Sequence, residues 1–215
     1  MIGLVTITAP LRVPTFALLL FVEAMLPFTL SAEPGFIFET GNPPWKGERL
    51  DLPPGFAPGL GWTGVEHIRF SPGMFEAGKP DFFSYVLVFL LEPGSDVTEA
   101  GLKREMLTYY TGLSKAVMDS KGGTDEAAVF AISMGRAGAS MPGPESAPGA
   151  TAWSGTLDWI EPFATRKAQQ LHLELHVWEH GGRPVVLSCV SPHAPDASGP
   201  WTALRTIRTK FRFEP

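Results

Sequence analysis

The spacing of apolar residues along the chain predicts most of its regular elements. Residues 65–70 alternate roughly between apolar and polar side chains, as in a strand with one exposed face. Residues 82–91 form the nearly continuous apolar run of a strand buried on both sides. Gly181 and Gly182 supply a tight hairpin turn between the strands predicted at residues 169–178 and 184–191. The predicted strands are residues 65–70, 82–91, 127–134, 150–159, 169–178 and 184–191.

Two other segments carry apolar residues at spacings of three and four, which is the period of an amphipathic helix. The longer helix follows Thr98, a good N-cap residue, and ends before Gly122. The shorter helix places Trp201, Leu204, Ile207 and Phe211 on one stripe and is expected to turn its arginines outward. The order of elements predicts an α+β fold, an antiparallel β-sheet with one long helix and a short C-terminal helix packed on it.

Before these elements, the composition changes twice. Residues 33–62 are rich in Pro and Gly and hold Pro-Pro and Pro-Gly pairs, which disfavour helix and central strand. We therefore predict an extended Pro/Gly-rich N-terminal arm, and its isolated aromatic residues predict that it lies against the domain. Residues 63–215 are predicted to form a single α+β domain.

Residues 1–32 have the order of a signal peptide. Arg12 precedes an apolar run at residues 13–22, and the segment ends in small residues at Ala32. This order predicts export to the periplasm or secretion, with no membrane-spanning segment once the leader is cleaved. Glu23 interrupts the apolar stretch, so an uncleaved membrane anchor is the alternative. Cys189 is the single cysteine, and the chain has no intramolecular disulfide.

The overall charge narrows the class of partner. The chain has 17 Lys and Arg against 22 Asp and Glu, a formal net charge of −5, and no basic stripe. Nucleic acid is therefore not expected as a partner. An unknown protein or a small-molecule ligand remains.

One predicted strand carries candidate metal chemistry. Alternation along residues 169–178 places His172, Glu174 and His176 on one face and leucines on the other. Two imidazoles and a carboxylate are ligands that suit a divalent metal such as zinc. The alternative is that these residues are the polar, solvent-facing side of an antiparallel strand.

Tryptophans provide a second candidate site. Trp45 and Trp62 lie in the Pro/Gly-rich arm, and Trp178 shares the face of His176. Exposed aromatic rings bind sugars and peptides, so an aromatic ligand platform is one hypothesis. The other is that Trp45 and Trp62 fix the arm to its own domain.

The end of the chain combines a strand, a Pro-containing loop and a helix that ends in Phe211-Arg212-Phe213, and in this it resembles PsbP-like exported domains. The resemblance implies a fold only, and no functional residue is transferred. The leading hypothesis is a non-catalytic exported domain that binds a ligand or partner, with no cofactor predicted. The alternatives are a metal-dependent hydrolase or lyase that uses His172, Glu174 and His176, and an envelope assembly factor tethered by an uncleaved leader.

Overall fold

The computed structural model describes residues 35–123, 130–138, 141–196 and 199–214. Its elements are β1 (Phe36–Ile37), β2 (Lys46–Leu52), β3 (Gly64–Phe70), β4 (Tyr85–Leu91), α1 (Glu99–Ser120), β5 (Ala131–Arg136), β6 (Thr151–Glu161), β7 (Lys167–His180), β8 (Arg183–Ser191), α2 (Pro200–Lys210) and β9 (Arg212–Phe213). The predicted α+β architecture is confirmed. The leader at residues 1–32 and the start of the strand predicted at 127–134 lie outside the described residues.

A seven-stranded antiparallel sheet organises the domain. Its strand order is β2-β3-β4-β8-β7-β6-β5, and β1 pairs with β9 in a separate two-stranded ribbon. Strand β4 is buried along its whole length, as its continuous apolar run predicts. Gly181 and Gly182 have φ values of 58° and 77° in the β7–β8 turn, the left-handed region that a two-residue hairpin needs.

Helix α1 covers one face of this sheet. Thr98 caps it by accepting a hydrogen bond from the Gly101 N–H at 3.2 Å. Leu102, Met106 and Tyr110 are fully buried in one apolar cluster with side chains of β4, β6 and β7. The predicted stripe of apolar residues is therefore the one that packs.

Helix α2 covers the opposite face and is shorter. Pro200 occupies its first turn, where a missing N–H costs nothing, and Trp201, Leu204 and Ile207 are buried. The expectation that its arginines face outward is wrong for Arg208, which is 1% exposed. Arg208 is buried because its guanidinium group extends to β7 and donates to the carboxylate of Glu174.

The described part of the Pro-rich segment lies against the sheet. Strand β2 pairs along β3 as an edge strand, and Leu52 and Trp62 are buried in the core under α1. Phe36 belongs to the core under α2. Neither helix in the described ranges combines the length and apolar character needed to cross a membrane.

Candidate functional site

The polar face of β7 is covered by protein. Leu171, Leu173 and Leu175 point into the core under α1, so His172, Glu174 and His176 point to the α2 side, as the alternation predicts. Glu174 and His176 are only 3% and 1% exposed, while His172 is half-buried. The alternative interpretation of a simple solvent-facing side is therefore wrong for two of the three residues, because α2 and the loop before β6 cover them.

Glu174 is held by two arginines of α2. Arg208 Nη1 donates to Glu174 Oε2 at 2.5 Å, and Arg205 Nη2 donates to Oε1 at 2.5 Å. Arg205 Nη2 also donates to the Pro195 carbonyl at 2.9 Å. Burial by itself would raise the pKa of Glu174, but the hydrogen bonds from Arg205 and Arg208 outweigh it and lower that pKa. The carboxylate therefore stays ionised and fixes α2 on the sheet.

His176 lies one alternation further along β7 and is packed under the loop. Its Nε2 is 3.4 Å from the Met141 carbonyl oxygen, and a Cβ at Gly143 would come within 2.9 Å of its ring. Burial, helped by the nearby charge of Arg208, lowers the pKa of His176 to about 4. The imidazole is thus uncharged at neutral pH.

Cys189 faces Glu174 across the β7–β8 pair. The thiol is fully buried and donates to the Leu204 carbonyl at 3.4 Å. Burial raises the pKa of Cys189 to about 12. The residue is a packed apolar contact beneath α2 and is not activated as a nucleophile.

Beyond α2, the same face of the sheet opens into a groove over β5, β6 and β7. In antiparallel pairs, directly opposed residues have their side chains on the same face. Ser133 opposes Thr156, and Thr156 opposes His172, so these three side chains form one row across three strands. Gly135, Ser154 and Glu174 form the next row.

The groove has a volume of about 460 Å³, and Met141 and Pro195 are among the residues that line it. Its floor stays open because the side chains of β5 and β6 are small: Ser133 and Ser154 are exposed, and Thr156 is half-buried. Glu174 closes the end nearest α2. The arrangement offers hydroxyl groups and an imidazole at a concave surface, which suits recognition of a polar ligand.

The predicted metal ligands are on one face, but Glu174 is already occupied by guanidinium groups. Among the residues described here, no group of three or more His, Cys, Asp or Glu side chains is close enough to hold a metal ion. A zinc site that uses Glu174 would first have to displace Arg205 and Arg208. The metal hypothesis stays a prediction.

The three candidate tryptophans lie on two faces. Trp62 is 1% exposed in the core under α1, and its indole N–H donates to the Asp96 carbonyl at 3.0 Å. Trp45 and Trp178 are half-buried and pack on the core under α2. Trp62 is therefore separated from the other two by the sheet, and a platform that uses all three is not formed.

A second buried ionisable group lies under α1, in the strand for which the alternation predicts one exposed face, and that prediction is wrong for Glu66. Glu66 of β3 is 1% exposed, accepts a hydrogen bond from the Tyr109 hydroxyl at 2.8 Å and has no partner for Oε2 in the described residues. Burial raises the pKa of Glu66 to about 8. The Tyr110 and Tyr85 hydroxyls hydrogen-bond beside it.

Sequence reasoning also missed Arg205, Arg208 and the hydroxyl row. A signal for the row was available, since Ser133, Ser154 and Thr156 lie in predicted strands, but their alignment depends on strand register. Comparisons of this chain with protein-family models, curated proteins and solved structures find no match.

Proposed function

We propose that this chain is an exported binding domain whose ligand occupies the groove over β5, β6 and β7 beside α2. The observation that supports this proposal is the groove itself. It is concave, its floor consists of small polar side chains, and its end is closed by the Glu174 ion pairs. Rigid sheet positions flanked by loops are a common way to present such a site.

The ionisable groups around the groove favour binding over catalysis. A general base needs a free lone pair, but both oxygens of Glu174 accept hydrogen bonds from arginines. A nucleophilic thiol needs a lowered pKa, whereas burial raises the pKa of Cys189 to about 12. His176 is covered by the loop and by α2.

Export is the second part of the proposal, and it depends on the leader pattern at residues 1–32. The intact mass of the protein recovered from its host tests it. A mature chain that begins near Glu33 and is released in the soluble fraction supports export with cleavage. Recovery of the whole leader in the membrane fraction would favour the tethered alternative.

Ligand binding can be tested on the protein recovered after export, labelled with ¹⁵N. We expect at least one class in a panel of neutral sugars, free amino acids, dicarboxylates and phosphate esters to shift the amide resonances of Ser154 and Thr156 in a saturable manner. Ser154→Trp should block the response because an indole fills the floor of the groove, while Ser120→Trp, at an exposed end of α1, should not.

The proposal fails if no class perturbs the groove residues. It also fails if Ser154→Trp binds as tightly as the parent chain. Resonance shifts restricted to the α1 side of the sheet would place the ligand elsewhere.

A further inference from the structure

The side chains that the groove exposes are able to donate hydrogen bonds. The hydroxyl groups of Ser133, Ser154 and Thr156 make no hydrogen bond within the part of the chain that the structure describes. His172 continues the row at the position opposite Thr156, and an imidazole also carries a donor. The one carboxylate in the lining, Glu174, has its oxygens occupied.

The charge at the end of the groove is unbalanced. Two guanidinium groups, of Arg205 and Arg208, face one carboxylate, so 2 − 1 leaves one net positive charge. Arg208 is buried, whereas the side chain of Arg205 is 40% exposed. The surplus charge therefore reaches solvent through Arg205.

Arg205 is fixed at the end of the groove by two residues that line it, Glu174 and Pro195. Its Nη2 joins Glu174 to the Pro195 carbonyl, two residues that line the groove, and its guanidinium lies 5.3 Å from the centre of the Trp201 ring. Its Nη1 makes no hydrogen bond to any described residue. A guanidinium fixed on two sides with a free N–H group is preorganised for an acceptor, and the acceptors that bind it best are anionic oxygens.

We propose that the groove selects small ligands that carry an oxyanion, a carboxylate or a phosphate group. The hydroxyls of Ser154 and Thr156 and the imidazole of His172 donate hydrogen bonds to the anionic group, and Arg205 supplies the charge. This inference rests on the proposed function, since it names the chemical class of ligand for the same groove.

The test compares anions at constant ionic strength. The exported protein is titrated separately with succinate and with inorganic phosphate, with sodium chloride as the reference, while the amide resonances of Ser154, Thr156 and His172 are followed. We expect saturable shifts of these residues with at least one of the two oxyanions and none with chloride. The two arms distinguish a carboxylate ligand from a phosphorylated one.

Two variants then test whether Arg205 supplies the positive charge that binds the oxyanion. Arg205→Gln should weaken oxyanion binding about tenfold, since it removes a charge-assisted hydrogen bond. Arg212→Gln is the matched control, because it removes the same charge from an arginine that pairs with Glu39 outside the groove, and it should leave affinity unchanged. Equal weakening by both variants would mean non-specific charge attraction and would overturn the proposal.

A second substitution avoids the ion pair. Thr156→Val removes a hydroxyl that has no intramolecular partner and keeps the shape of the side chain, so the fold should be intact while oxyanion affinity falls about threefold. Unchanged affinity in this variant and in Arg205→Gln would contradict the inference. If neutral sugars bind in the groove and both oxyanions do not, the inference fails while the proposed function stands, and if nothing binds there both fail.

Discussion

The two faces of the sheet bury a glutamate in opposite ways. Under α1, Glu66 receives one hydrogen bond from a tyrosine hydroxyl and is held as the neutral acid, since burial raises its pKa to about 8. Under α2, Glu174 receives two arginines and is held as the anion. The same side chain thus takes either charge state, depending on whether the covering helix brings a cation.

The difference follows from the amount of apolar surface each helix brings. Helix α1 has 22 residues and docks mainly through leucine, methionine and two tyrosines, and its one buried carboxylate, Glu105, accepts a hydrogen bond from the Gly61 N–H instead of pairing with a residue of the sheet. Helix α2 has 11 residues and adds the Arg208–Glu174 pair to its apolar stripe. A buried ion pair contributes less to net stability than to fixing one arrangement, and that is the role we assign to it here.

The largest effect on stability is expected from removing Arg208, one partner of the ion pair between α2 and Glu174. Arg208→Met should lower the free energy of unfolding by about 3 kcal/mol, because it leaves Glu174 buried with only Arg205. Urea denaturation measures this loss. Arg212→Met, on an exposed pair, should cost less than about 1 kcal/mol.

The double variant Glu174→Leu with Arg208→Met sharpens that test. It removes both buried charges, so it should be less destabilised than Arg208→Met alone. If Arg208→Met costs no more than Arg212→Met, the ion pair does not fix α2.

Glu66 predicts a loss of stability with rising pH. Its pKa is higher in the folded chain than in the unfolded chain, so folding favours the protonated form and stability falls from the ordinary value of 4.5 up to about pH 8. Above neutrality, Glu66→Gln should remove this fall, so that the variant is more stable than the parent chain at alkaline pH. Thermal unfolding measured across this range is the check, and a parent profile that stays level up to about pH 8 would contradict it.

His176 predicts the opposite slope at lower pH. Its pKa is lowered from 6.5 to about 4 in the folded chain, so the unfolded chain binds the additional proton and stability is lost as pH falls through that window. Between pH 4.5 and 6.5, rising pH lowers the stability that Glu66 contributes and raises the stability that His176 contributes, so the two effects oppose each other in the parent chain. His176→Leu should expose the Glu66 slope by itself, with an effect of about 1–2 kcal/mol.

The smallest effect on stability is expected from added metal ions. Added zinc should leave the unfolding midpoint unchanged, because binding at Glu174 would require breaking its contacts with Arg205 and Arg208. Calorimetry with and without a chelator measures this. A stoichiometric metal in the native protein, together with a midpoint that His172→Ala lowers, would restore the metal hypothesis.

The sequence was sufficient to predict the elements that depend only on residues close together along the chain. Helix α1, the buried run of β4 and the face shared by His172 and His176 all follow from periodicity and from Thr98 as a cap. Edge strand β2 was not predicted as a strand, because proline dominates the composition of the segment around it. Proline is compatible with strand ends and sheet edges, and this is where it occurs here.

The candidate groove depends on information that is not local. Arg208 and Glu174 are 34 residues apart, and their pairing requires α2 to pack on the face of the sheet to which Glu174 points. The row of Ser133, Thr156 and His172 requires the register of two strand pairs. Periodicity assigned Glu174 to the correct face, but it could not identify what covers that face.

The position of Cys189 gives the molecule an internal reporter. Its thiol points at the Leu204 carbonyl and has no exposed surface, so a thiol reagent can reach it only after α2 has lifted from β8. The rate at which the reagent labels Cys189 in native buffer therefore reports how often α2 detaches from β8, while global unfolding is measured separately. An oxyanion bound in the groove should lower the rate at which Cys189 is labelled, since Arg205 belongs to the helix that must move.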